Sequence, residues 1–219
     1  MKQILTYMSG QEPKKDLLGM DFRNNILQLG DLNLDDIGEE QFWPVPDSYS
    51  DKLPEENEPG SFWEHREDRY HCGVDIYADA GKKVIAIENG IVLDIREFTS
   101  PEMNYYWNTT YAVVIKSSGN IIYKYAELSD VLVRIGNYVD GGQPIGTIGM
   151  VINQDRLSMK VPFYIRKLIT NGNPSMLHLE MYKSPISQVE PYSCGNYFGT
   201  YKPESLLNPL HFLYNLKKK

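Results

Sequence analysis

Between Lys82 and Gly149 the chain is divided into short runs of β-branched and aromatic residues, each closed by glycine or another turn former: "KKVIAIENGIVLDIREF", "YAVVIKSSGNIIYKYAEL" and "YVDGGQPIGTIG". Such runs read as strands, and their close spacing leaves no room for crossover helices between them. The fold class this predicts is all-β, an antiparallel β-sheet or β-sandwich core, with "KSSGN" as a hairpin turn. The chain has 219 residues, 42% of them hydrophobic, enough for one such domain and some added length.

The added length is visible in the composition. Residues 1–41 are polar, with the acidic stretch "GDLNLDDIGEEQ", and read as an N-terminal arm or lead-in. The domain proper spans residues 42–219, starting at "FWPVP". Two long insertions interrupt it: "TSPEMNYYWNT" (Thr99 to Thr109), and "VINQDRLSMKVPFYIRKLITNGNPS" (Val151 to Ser175), in which a helical turn is expected. Lys160, Arg166 and Lys167 in the second form a basic cluster that either meets an anionic ligand or is a solvated face.

Charge and cysteine content exclude several classes. With 22 basic and 29 acidic residues the net charge is −7, without the basic footprint of a nucleic-acid binder. No apolar run approaches a membrane span or the core of a secretory signal, so the sequence as it stands is expected to be soluble and cytoplasmic, and extracytoplasmic if a targeting segment has been removed. Cys72 and Cys194 form no disulfide framework, which fits a reducing compartment.

The chemistry concentrates in "YHCGVDIY". His71 and Asp75 are four apart in a β-patterned segment, so an extended strand would hold them about 13 Å apart on one face. A metal ion needs donors at about 2 Å, and only a bend would join them; Gly73 is the residue type that permits one. Cys72 points to the opposite face. Downstream, "MLHLEMY" alternates so that Met176, His178 and Glu180 share a face, which makes His178 available as a third ligand. Two histidines and a carboxylate with a fourth position open is the donor set of a catalytic zinc. Glu180 is either a partner that orients a ligand or an exposed strand carboxylate.

These pieces, from Phe42 to the C-terminus, resemble the lysostaphin-like (LytM-like) zinc endopeptidases that cut peptidoglycan cross-bridges. The order is "FWPV", "HCGVDIYADAGKKVIAIENGIV", "YAELSDVLVRIGNYVDGGQPIGTIG", "LHLEMY" and "LLNPLHFL". The resemblance implies an antiparallel sheet crossed by a groove, one zinc ion held by His71, Asp75 and His178, and a peptide or peptidoglycan-like ligand. Two positions depart from it. Met176 stands at the first histidine of the family's H-x-H, and Glu127, in "YAEL", at the histidine of "Y-x-H-L". A thioether cannot carry a proton; Glu127 can serve as a substitute base, can be a fourth ligand, or can be a solvated residue. Losing a positioned acid or base costs roughly 10²–10⁴ in rate. The expectation is therefore zinc binding with weak or no peptide hydrolysis; the alternative is a non-catalytic binding or regulatory domain, as in relatives that activate other cell-wall enzymes.

Arg69 and Tyr70, by position, and Tyr105, Tyr106 and Trp107 in the first insertion, are candidates to line a groove; the aromatics equally suit packing of the loop. His65 is given no role, and His211, in apolar "NPLHFL", is expected in the core. The segments "GKKVIAIENGIV" and "GNYVDGGQPIGTIG" also resemble the hammerhead turns of biotinyl and lipoyl carrier domains, without a lysine in a modifiable turn.

Overall fold

A computed structural model describes residues 40–49, 53–157, 175–184 and 192–217. The expected arm, apart from Glu40 and Gln41, and the basic cluster of the second insertion lie outside these residues. The strands are β1 (His65–Arg66), β2 (Arg69–His71), β3 (Val74–Tyr77), β4 (Lys83–Ile85), β5 (Gly90–Thr99), β6 (Thr110–Ser117), β7 (Ile121–Val131), β8 (Tyr138–Val139), β9 (Pro144–Ile148), β10 (Met176–Lys183), β11 (Tyr192–Ser193), β12 (Asn196–Tyr197) and β13 (Leu206–Leu207). Helix α1 (Pro209–Lys217) follows, so the described residues are nearly all β, as the runs of β-formers imply.

All pairings are antiparallel. The large sheet runs β13-β10-β7-β6-β5-β8, with β3 beside β10 and β9 joining β4 to β7; a small sheet runs β1-β2-β12-β11. The turn after Ser117 joins β6 to β7, with Asn120 in the left-handed region at φ 58°. Ile115, Tyr123, Tyr125, Leu128, Leu177 and Leu179 are wholly buried along the centre of the large sheet. β10 is buried on both faces over Met176–Tyr182, unlike the half-exposed strand its alternation suggests. Its apolar side carries Leu177, Leu179 and Met181, and its other side the polar groups described below.

A 3₁₀ turn at Gln154–Arg156 supplies the helical turn expected in the second insertion. It lies next to the first: Trp107 pairs with Ile152, and Tyr106 and Ile152 form a small cluster with Trp107, Val151 and Leu157 packed on it. Tyr106 and Trp107 thus tie the insertions together, and Tyr105 is the one of the three aromatics that stands exposed. His211 is a correction: it is exposed, because α1 turns Leu210 and Leu213 inward and position 211 away. Among the described residues no helix is long and apolar enough to cross a membrane.

Candidate metal centre

Asp75 and His178 are direct cross-strand partners, Asp75 on β3 and His178 on β10, so their side chains share a face about one strand spacing apart. His71 arrives from the other sheet. The chain leaves the small sheet after His71, turns at Cys72 and Gly73, and enters the large sheet at Val74. Gly73 passes so close to β10 that a Cβ there would lie 2.4 Å from the Leu179 carbonyl oxygen and 2.9 Å from His178 Cε1. This corner removes the separation an extended strand would impose: His71 Nε2 lies 3.2 Å from Asp75 Oδ1.

The three side chains are 1–5% exposed. His178 Nδ1 is 3.1 Å from Asp75 Oδ1 and 2.9 Å from His71 Nε2. These separations approach the ~3.3 Å between ligands of a tetrahedral site with bonds of about 2.0–2.1 Å. The tautomers follow from the partners. His71 Nδ1 is 2.8 Å from the Ser61 carbonyl, which only accepts, so Nδ1 carries the hydrogen and Nε2 its lone pair. His178 Nε2 is 2.9 Å from Glu180 Oε1, likewise an acceptor, so its lone pair is on Nδ1. Two lone pairs and a carboxylate oxygen therefore converge with no donor among them, and such a set requires a cation or a proton.

The electrostatics agree. Burial opposes charge on His178, but hydrogen bonds to Asp75 and Glu180 outweigh it and raise its pKa to about 9. Burial also opposes ionisation of Asp75, yet the adjoining His71 and His178 imidazoles hold it well below the usual carboxylate range. Without a metal, a proton shared at His178 bridges the two carboxylates; a divalent cation would displace it. The donor set fits zinc, with His71 Nε2, Asp75 Oδ1 and His178 Nδ1 as the atoms that would hold it.

Glu180 is not an exposed strand carboxylate. It is fully buried and its carboxylate accepts from His178, Lys124 (3.2 Å), Tyr182 and Tyr192. Burial opposes its charge, and Lys124 with these donors holds its pKa below the ordinary range. Arg66 Nη2 stands 3.5 Å from the outer oxygen of Asp75, leaving Oδ1 to face the imidazoles. Phe98 stacks on the His178 ring at 5.7 Å.

Glu127 lies outside the three-residue cluster, next to Ala126, the β7 partner of His178. The pairing of β7 shifts register here, with β6 before Leu128 and with β9 after it, and Glu127 adopts φ 65°. A bulge of this kind re-aims a side chain, and a non-glycine residue in the left-handed region costs roughly 1–3 kcal/mol. Glu127 is partly exposed as a residue, yet its Oε2 is shielded from solvent and has no hydrogen-bond partner among the described residues. Burial, and then the charge of Asp75, push its pKa up to about 8. Met176 is buried at 8% exposure opposite Tyr77, one step along the same strand face from His178. Arg69 opens β2, an inner strand of the small sheet, and is paired with Asp68 at 2.9 Å and 6.0 Å above the Phe198 ring. Tyr70 stacks on Trp63 at 4.6 Å, on the far side of β2 from the cluster.

Sequence reasoning missed Tyr192, Lys124, Arg66 and Ser61. Lys124 alternates with Tyr123 and Tyr125 in a recognisable strand, but nothing in its neighbours marks an ammonium held against Glu180. Tyr192 precedes "CGN", a readable turn signal whose place over His178 only the fold supplies.

The sequence model described as Peptidase family M23 matches residues 69–185, more than half of the chain. No curated protein matches the sequence. Among solved structures, the catalytic domain of the antimicrobial peptidase lysostaphin from Staphylococcus simulans is 18% identical, with 80% of this chain and 92% of that chain covered at a TM-score of 0.41. A zinc-containing peptidase from Vibrio cholerae is 23% identical over 65% of this chain and 37% of that one, at a TM-score of 0.42. A structure of the complex of SpoIIIAH and SpoIIQ matches at 18% identity, 78% and 99% coverage and a TM-score of 0.44.

Proposed function

Because the chain belongs to peptidase family M23, we propose that it is a zinc-binding domain of the lysostaphin-like type that holds a peptide of the peptidoglycan class and hydrolyses it weakly or not at all. The observation that carries this reading is the contrast between a complete donor set and an incomplete set of proton carriers. His71, Asp75 and His178 converge with fixed tautomers, whereas the buried thioether of Met176 sits beside them and neither takes nor gives a proton.

A zinc ion bound there supplies Lewis acidity toward a carbonyl and toward water. The chain's own groups contribute less than a peptidase needs. His71 and His178 have their second nitrogens committed to Ser61 and Glu180 and cannot relay protons. Among the described residues Glu127 is a carboxylate near the cluster with an unpartnered oxygen, and its Oε2 supports a second reading, in which it is the base of a slow hydrolase. Non-catalytic service, as a binding partner that regulates another cell-wall enzyme, follows if Glu127 fails in that role.

Elemental analysis of the purified protein beside His71→Ala and His178→Ala is the first test: one zinc per chain, absent from both variants, is expected, and a wild type that takes up no zinc refutes the proposal. Assays on cross-bridge peptides then separate the two readings. Glu127→Gln should abolish any residual turnover if Glu127 is the base; equal rates in the two proteins remove it from that role. The double change Met176→His and Glu127→His should create or raise hydrolysis, and a silent double variant means that the groove itself no longer presents a peptide.

A further inference from the structure

Tyr192 occupies a position for which the metal ligands alone give no reason. It opens the hairpin of β11 and β12, in which Tyr192 pairs with Tyr197 and Ser193 with Asn196. Its hydroxyl donates to Glu180 Oε1 and accepts from Lys124 Nζ and from the Gly195 amide at 2.9 Å, which uses all three of its hydrogen-bonding positions. The Lys124 ammonium is also 4.2 Å above the Tyr192 ring and 5.1 Å above Phe98, whose ring stacks on His178. Gly195, in the left-handed region at φ 77°, lies against the imidazole: a Cβ there would be 2.7 Å from His178 Nε2. The Gly195 carbonyl in turn accepts from the Cys72 amide at 2.8 Å, at the corner between the two sheets.

We propose that Tyr192 is a positioning residue of the metal centre: by fixing the Glu180 carboxylate against His178 Nε2–H, it holds His178 in the tautomer and orientation that aim Nδ1 at the metal. The inference rests on the zinc-binding reading above. The side chain of Glu180 has several rotatable bonds, and without a lateral donor its Oε1 can swing toward Lys124 alone. Tyr192 restrains it from the hairpin side, Tyr182 holds Oε2 from within β10, and the imidazole plane is set between Gly195 and Phe98. Outer partners of this kind typically alter metal affinity by roughly 10–100-fold when removed. The effect is reciprocal: if docking of the hairpin favours the metal, the metal favours docking of the hairpin.

The test is zinc affinity by competition with a chromophoric chelator, together with the visible spectrum of the cobalt-substituted protein, for wild type, Tyr192→Phe and Tyr197→Phe. Tyr197 pairs with Tyr192 in the hairpin and its ring packs on Trp63 at 5.9 Å, so Tyr197→Phe removes a hydroxyl from the same hairpin while leaving the Glu180 contact in place. Tyr192→Phe is expected to weaken zinc about tenfold or more and to shift the cobalt bands, and Tyr197→Phe to do neither. Equal affinity in wild type and Tyr192→Phe, or equal loss in both variants, overturns the proposal. A wild type that binds neither metal instead overturns the zinc-binding reading. Amide exchange in the wild type gives a second measure that needs no variant: zinc should slow exchange at Gly195, and an exchange rate indifferent to zinc counts against the proposal.

Discussion

His178 is the residue on which the proton balance of the centre turns. Its pKa of about 9 in the fold lies above the ordinary 6.5, so the metal-free protein has the full benefit of that charge below pH 6.5 and loses it as pH rises through 9. Glu127 acts in the same direction: with its pKa lifted from 4.5 to about 8, its contribution is complete below about pH 4.5 and is lost as pH rises through 8. Asp75 and Glu180 act oppositely, since their depressed pKa values stabilise the fold above the ordinary carboxylate range and cease to do so in acid. The melting temperature of chelator-treated protein should therefore peak in mild acid and decline toward pH 9. A flat profile over pH 6–9 would contradict the raised values. Zinc affinity should rise over the same interval, because the cation competes with the proton on His178. Gly73 makes a different demand at this scale. An added methyl group would press on the Leu179 carbonyl, so Gly73→Ala should destabilise the protein by about 3 kcal/mol or more and abolish metal uptake, as read by chemical denaturation and zinc titration.

Among the elements, the β11–β12 hairpin has the most specific turn chemistry. Cys194 and Gly195 have φ values of 43° and 77°, the pair of positive angles that a two-residue type I′ turn requires. Cysteine is poorly suited to the first of these positions and asparagine well suited. Cys194→Asn should therefore stabilise the fold by roughly 1 kcal/mol with zinc affinity unchanged. A lower melting temperature would show instead that the contact of the thiol with the Phe98 carbonyl, at 3.1 Å, matters more than backbone fit. The hairpin also shows where sequence reasoning ends. Strands β4 to β9 follow the hydrophobic runs because β-branched periodicity is a local property, and the meeting of His71 with Asp75 was foreseeable because a glycine between them allows the corner. The carboxylate of Glu180 was not assignable, since its burial depends on a lysine 56 residues away and on a tyrosine 12 residues on, across an undescribed segment. Nor was the packing of Tyr106 and Trp107 decidable: an aromatic loop reads alike whether it faces a ligand or, as here, a second insertion.

At the scale of the whole molecule, the three donors come from two sheets. His71 belongs to the small sheet, Asp75 and His178 to the large one, and 107 residues separate the two histidines. Between them in sequence lie β3 to β9, which are most of the large sheet. Any ligand that binds only the folded chain stabilises it by mass action, by about 2.7 kcal/mol at a hundredfold excess over its Kd. How that stabilisation divides between rates is set by when the donors meet. A contact spanning 107 residues is non-local, and its loop-closure cost favours a late meeting of the donors. Zinc should therefore reach a chain already past its folding transition state. In stopped-flow kinetics the refolding limb should be indifferent to zinc and the unfolding limb slowed by nearly the full equilibrium factor; acceleration of refolding would mean that the centre forms early. On this account the centre governs how long the molecule lasts rather than how fast it forms, and loss of the ion in a dilute environment would set a lifetime on a protein that folds equally well without it.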